Sequence, residues 1–285
     1  MDPLTKFAGY PALSANDHGS GMKRTTLATL RGYKNQQKFT CVTAYDATFA
    51  HWASDSSVEV ILVGDSLGMV IQGNDSTVSV SNEAMCYHTR AVAAGNKNCL
   101  IMSDVPFMQA ATVERALASA QALMQAGAEI VKIEGDERLA PIVQALNSAG
   151  VPVCVHLGLT PQFVHRFGGY KVQGRDQDSR EATLKAARSA IDAGCDLLLL
   201  ECVPADLARQ VSELSDVPVI GIGAGPDTDG QVLVMHDMLG LNPHRLARFV
   251  KVFAEAGDTP ADSFNRFDQA VKAGQFPAPE HGWDA

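Results

Sequence analysis

The sequence predicts a single α/β domain, a closed (β/α)₈ TIM barrel with an N-terminal extension and extra C-terminal helices. Three observations carry that prediction. Short apolar runs recur along the chain, each leading into a polar or acidic residue, a loop and a stretch with helical spacing. Several runs are continuously apolar rather than alternating, the pattern of parallel strands covered on both faces. The repeating part also approaches the ~250 residues and the eight strands of such a barrel, which favours it over an open doubly wound sheet.

The expected strands cover residues 39–43, 58–63, 99–102, 129–133, 151–155, 196–200 and 217–222, with a weaker eighth near 232–235. Helices are expected over 84–94, 112–126, 138–148, 180–193 and 205–213, where apolar positions recur three or four apart. Gly127, Gly150 and Gly194 stand just past three of them, the usual place for a helix to stop. Two further helices are expected at 246–256 and 260–273. Residues 1–21, rich in Gly, Ser, Asp and Pro, read as a loosely attached extension, and 22–285 as the barrel domain.

Composition narrows the function classes. Of 285 residues, 46% are hydrophobic and 19% charged, an ordinary globular balance. The net charge is −9 and the densest basic cluster is the pair Lys23-Arg24, so the footprint that nucleic-acid binding requires is missing. No apolar run approaches the ~20 residues of a membrane helix, and the start Met1-Asp2-Pro3-Leu4 does not read as a secretory signal. The six cysteines form no CxxC pair and read as buried free thiols, so a cytoplasmic enzyme is expected.

The residues at the strand ends are the informative feature. The second strand runs into Gly64-Asp65-Ser66-Leu67-Gly68 and the third into Ser103-Asp104-Val105-Pro106-Phe107. The fourth contains Val131-Lys132-Ile133-Glu134-Gly135, the fifth ends in His156-Leu157-Gly158, the sixth in Glu201-Cys202, and the seventh in Gly223-Ala224-Gly225. In a barrel these ends face one rim, where active sites of this fold lie. The rim then holds four carboxylates, Asp65, Asp104, Glu134 and Glu201, together with Lys132 and His156. Crowded acids repel one another unless a cation or protons offset them, and an all-oxygen set suits Mg²⁺. That chemistry is enolate formation on a 2-oxo acid, with one carboxylate left as base. Taken singly, each acid reads as a loop cap or ion-pair partner, Lys132 as a partner of Glu134, and His156 as a structural histidine. Their joint placement carries the functional reading. His51 and His88 read as structural, the Gly221–Gly225 segment as a tight turn, and Cys202 as an unactivated thiol.

These segments resemble the ketopantoate hydroxymethyltransferase family from about Phe39 to Leu241. The resemblance also takes in Val42-Thr43-Ala44-Tyr45-Asp46, Tyr87-His88-Thr89, Leu157-Gly158-Leu159-Thr160-Pro161-Gln162, Phe167-Gly168-Gly169-Tyr170-Lys171-Val172-Gln173-Gly174-Arg175 and Leu200-Glu201-Cys202-Val203-Pro204. It implies one Mg²⁺ held by Asp65 and Asp104, with Glu134 completing the acidic cluster directly or through water. It implies that Asp65, Ser66, Asp104 and Lys132 hold the 2-oxo acid, with His156 hydrogen-bonding nearby and Glu201 as the base. 5,10-Methylenetetrahydrofolate would supply the carbon, and the chain would assemble as a homo-oligomeric ring, commonly a decamer. After Phe107 the chain departs from the family pattern with Met108-Gln109-Ala110-Ala111. Two other readings compete: a metal-dependent 2-oxo-acid aldolase or lyase that needs no folate, and a binding homologue without catalysis.

Overall fold

The structure, a computed structural model, describes residues 24–283. Eight strands close into one parallel barrel in chain order: β1 Phe39–Thr43, β2 Val60–Val63, β3 Leu100–Asp104, β4 Ile130–Glu134, β5 Val153–Gly158, β6 Leu197–Glu201, β7 Val219–Ile222 and β8 Gly230–Leu233. The last strand returns to the first, with Phe39 opposite Gly230 and Cys41 opposite Val232. The barrel and all seven clear strands therefore match the expectation. The eighth begins two residues before the expected position, at Gly230. The reading of residues 1–21 lies outside the described residues.

The alternation of side chains along each strand sorts the core into two shells. Val42, Ile61, Val63, Val131, Ile133, Val155, Leu198 and Leu200 face outward and pack against the helices. Phe39, Cys41, Val60, Leu62, Leu100, Met102, Ile130, Cys154, Leu197, Leu199, Ile220 and Val232 form the inner cluster. All six cysteines are buried and free, as expected.

Among the described residues, five short α-helices are present that the sequence pattern does not predict, two of them longer than a single turn. Leu27–Tyr33 closes the bottom of the barrel by placing the fully buried Leu30 in the inner cluster. Ala47–Ser54 comes after β1 and is capped by Asp46, whose carboxylate accepts from the Phe49 N–H at 2.9 Å. Helices this short have little intrinsic stability, so caps and packing decide them more than periodicity does. The expected helix at 246–256 is absent, and that segment runs irregularly across the barrel mouth. Its apolar residues are spaced as on a helix but are used separately. Phe249 packs against both core clusters, while Phe253 stacks edge-on against Phe267 and Phe276 at ring separations of 5.4 Å each. Tertiary contacts thus override the local preference.

The C-terminal helix Pro260–Lys272 is tied to β1 by a part-buried charge network. Lys272 Nζ lies 2.6 Å from Glu59 and 2.8 Å from Asp268. Glu59 in turn accepts from the Thr40 backbone N–H at 2.8 Å, and Asp268 from the Thr40 hydroxyl at 2.8 Å. Burial pushes Glu59 above the ordinary carboxylate range, partly offset by Lys272. Removing the cation in Lys272→Met should leave two crowded carboxylates and cost about 1–3 kcal/mol in urea unfolding, a figure reduced for the lysine's partial exposure. Adding Glu59→Gln should recover part of the loss. Wild-type stability in the single variant would show the network to be unimportant.

Candidate active site

The residues singled out at the strand ends form the top layer of the barrel interior. They continue the inward register of the apolar layers below: Met102 leads to Asp104, Ile130 to Lys132 and Glu134, Cys154 to His156, and Leu199 to Glu201. Asp65 and Ser66 come from the turn after β2. All seven line one cavity of about 640 Å³ at the C-terminal mouth. A separate cavity of about 220 Å³, beside Arg138 and Arg166, contains none of them.

The charges are arranged as a chain. Lys132 Nζ lies 2.9 Å from Asp104 Oδ1 and 3.4 Å from Glu134 Oε1. Glu134 Oε1 is 2.9 Å from His156 Nδ1, and His156 Nε2 is 3.3 Å from Glu201 Oε2. Burial opposes the Lys132 charge, but Asp104, Glu134 and Asp65 hold its pKa above the ordinary lysine value. Burial also opposes a charged Glu134, yet His156 and Lys132 draw its pKa down to about 2. Burial and the nearby ammonium disfavour an imidazolium at His156, but Glu134 and Glu201 raise its pKa overall. Protonated on Nδ1, His156 donates to Glu134.

Asp65 and Asp104 are left with a deficit of positive charge. Burial raises both, and for Asp65 the neighbouring Asp104 and Glu134 raise it further, well above the usual range. The Asp65 backbone N–H donates to Asp104 Oδ2 at 3.0 Å, and Gln162 Nε2 donates to Asp65 Oδ2 at 2.8 Å. A buried carboxylate pair compensated by one lysine suits a further cation. Glu134 is more fully paired, with three donors, Lys132, His156 and the Gln162 backbone N–H, against two at Asp104. Among the described residues, no group of three or more His, Cys, Asp or Glu side chains is arranged as a complete metal site. Asp65 and Asp104 fit a cation whose other positions go to water and substrate, and Glu134 lies next to them in the same acidic cluster.

Glu201 stands apart. Its side chain is 17% exposed and faces the cavity, whereas Asp65, Asp104 and Glu134 are each at most 5% exposed. Its position depends on Gly158, its partner across β5 and β6. Gly158 has φ +87°, and a Cβ there would lie 2.4 Å from the Glu201 carbonyl oxygen. Gly223, with φ +59°, makes the expected tight turn after β7 and lets Phe249 pack close above it.

Sequence reasoning missed several residues of the site. Gln162 bridges Asp65, Glu134 and the Val105 carbonyl, and only its place in a family-like segment hints at a role. Tyr45 hydrogen-bonds Ser66 at 2.9 Å through their hydroxyls. Asp237, Arg245, Phe249 and Trp283 also line the cavity from beyond β8. The minor readings hold: His88 Nδ1 is 2.7 Å from the Tyr45 carbonyl, and burial pushes the Cys202 thiol far up, so it is not an activated nucleophile.

Fold and ring together define a (β/α)₈-barrel enzyme with an acid–base site at its C-terminal mouth. Residues 24–279 match the ketopantoate hydroxymethyltransferase family. A 3-methyl-2-oxobutanoate hydroxymethyltransferase from Marinobacter nauticus is 55% identical over 91% of this chain and 99% of its own length. One from Alcanivorax borkumensis is also 55% identical, over 90% of this chain and 98% of its own. The chain belongs to this family. More distant solved structures share the fold alone. A 2,3-dimethylmalate lyase has a TM-score of 0.57 at 16% identity, covering 92% of this chain and all of that one. A phosphonopyruvate hydrolase has a TM-score of 0.58 at 13% identity, covering 74% of this chain and 80% of that one.

Gly158→Ala should cost about 2–3 kcal/mol in urea unfolding, since it adds steric overlap to left-handed strain. Gly150→Ala is the control: its φ is +81° but no atom lies within 4 Å of the added carbon, so only about 1 kcal/mol should be lost. Equal losses in the two variants would show that the close approach to Glu201 does not matter.

Proposed function

We propose that this chain transfers a hydroxymethyl group from 5,10-methylenetetrahydrofolate to 3-methyl-2-oxobutanoate, giving 2-dehydropantoate, with Glu201 as the base. Family membership across the barrel supports the reaction. One geometric feature supports the base: Glu201 is the most exposed of the four ring carboxylates, and among the described residues its side chain is paired only with His156. A base must reach a substrate proton, and its position comes before its pKa.

Glu201 takes the C3 proton, and the electron pair left behind delocalises into the 2-oxo group. C3 then bonds to the folate methylene carbon. Both carbon–nitrogen bonds of that methylene break, and water supplies the hydroxyl oxygen. The C3 proton and one water proton end on the two folate nitrogens. Lys132 and the Ser66 hydroxyl hold the 2-oxo acid, and Gln162 and Tyr45 hold Asp65 and Ser66 in place. A Mg²⁺ held by Asp65 and Asp104 would place positive charge at the substrate's oxygens, with Glu134 adding negative charge behind it. His156 keeps Glu201 aimed at the cavity and stabilises its charge.

A cytoplasmic, ring-shaped homo-oligomer belongs to the same reading. No helix among the described residues is long and apolar enough to cross a membrane. Ile71, Tyr87 and Met108 are large apolar side chains left exposed on the single chain, which supports assembly.

The test is solvent deuterium exchange at C3 of 3-methyl-2-oxobutanoate, monitored by NMR with Mg²⁺ or EDTA, and with folate in a parallel sample. Exchange that requires Mg²⁺, with 2-dehydropantoate formed only when folate is present, is expected. Exchange without transfer would favour the aldolase reading, and neither from folded, Mg²⁺-loaded protein would refute the function. Glu201→Gln should bind the 2-oxo acid normally and lose ~10²–10⁴ in turnover and exchange. Near-normal exchange in that variant would remove Glu201 from the role.

A further inference from the structure

The cavity is larger than its first substrate needs. At about 640 Å³ it falls within the ~300–1,000 Å³ that takes a drug-sized ligand, well beyond a five-carbon acid. The ring residues occupy the side above β2 to β6. The opposite side, above β7, β8 and β1, has a different character. Ile222, Val234, Phe249 and Trp283 make it apolar. One carboxylate, Asp237, also lines it, and its Oδ1 accepts from Asn242 Nδ2 at 2.6 Å.

Resting on the function proposed above, we propose that this second half is the reduced-folate subsite, with Asp237 recognising the pterin and Arg245 and Arg248 the glutamate tail. The 2-amino-4-oxopyrimidine edge of a pterin presents two adjacent N–H donors, which a carboxylate accepts side by side, as it does a guanidinium. Among the described residues Asp237 has no ion pair with Lys or Arg, and its side-chain partner is Asn242, on Oδ1. Burial raises its pKa, so donors from a ligand would stabilise its charged form. Phe249 and Trp283 offer flat apolar surface for the ring.

Charge at the rim fits the other end of the ligand. Arg245 and Arg248 form no ion pair with a carboxylate among the described residues. Arg248 instead donates to the Glu280 carbonyl at 2.9 Å and lies 5.0 Å over the Trp283 ring. On a chain of net charge −9, two uncompensated guanidiniums at one cavity mouth suit the carboxylates of one or several glutamates. In this arrangement the 2-oxo acid and the folate enter opposite halves of one mouth, so the carbon donor reaches C3 without displacing the acid from Asp65, Asp104 and Lys132.

Tetrahydrofolate binding is measured by quenching of tryptophan fluorescence, alongside C3 deuterium exchange, which needs no folate. Asp237→Asn keeps the shape and can still accept from Asn242. It should weaken tetrahydrofolate binding ~10-fold or more while exchange falls far less. Arg245→Gln/Arg248→Gln should weaken the triglutamate form more than the monoglutamate form. Unchanged tetrahydrofolate affinity in Asp237→Asn, or a loss matched by an equal loss of exchange, would overturn the subsite and leave the proposed function standing. Asp237-dependent folate binding in a wild-type protein that neither exchanges nor transfers would do the reverse.

Discussion

Lys132 is the interaction on which the top of this barrel depends. Two apolar layers fill the interior, and the third layer places Asp104, Glu134 and His156 in a region almost closed to water. Carboxylates there would take up protons or force the strands apart unless a cation stood among them. The ammonium at the centre of β4 touches Asp104 on one side and Glu134 on the other, so adjacent strands carry charge without separating. With Glu134 satisfied from below, His156 can be held on Nδ1, and through Nε2 it reaches Glu201. Glu201 at the open side is thus connected through His156, Glu134 and Lys132 to Asp104 at the closed side.

That layering explains what could be read from the sequence. A strand that is apolar at every second position and then turns polar at the next inward position marks itself as part of an interior layer. Ile130-Val131-Lys132-Ile133-Glu134 and Leu199-Leu200-Glu201 have this form, so both the barrel and the membership of the ring were legible. The division of labour within the ring was not. Nothing in the order of residues separates Glu134, whose oxygens are consumed by three protein donors, from Asp65 and Asp104, whose charge is only partly met. Gln162 contributes to that difference, and a lone glutamine in a 3₁₀ turn carries no periodicity to flag it.

The segments beyond β8 escape a sequence reading for a related reason. Leu246, Phe249 and Phe253 are spaced as on a helix, but an amphipathic helix needs one continuous surface to cover. Here Phe249 turns down over Gly223, while Phe253 joins Phe267 and Phe276 beside the C-terminal helix. Two targets in different directions unwind the segment. The same unwinding brings Arg245 and Arg248 to the mouth, so the feature that defeats the periodicity also shapes the cavity's outer half.

In the proposed reaction, competition among neighbours rather than intrinsic acidity would set the choice of base. A carboxylate can serve as base only if its lone pairs are not already committed and its charge is not held too firmly. Glu134 fails on both counts, because it accepts from His156, Lys132 and the Gln162 backbone, and those cations draw its pKa to about 2. Asp104 is paired with Lys132, and Asp65 is bound by Gln162 in the most acid-crowded corner. Glu201 keeps one contact, to the His156 imidazole, which leaves it the carboxylate best placed for the proposed role. In the proposed reaction, a base on β6, two strands from Glu134 on β4, would let one barrel mouth hold a cation and a base without either neutralising the other.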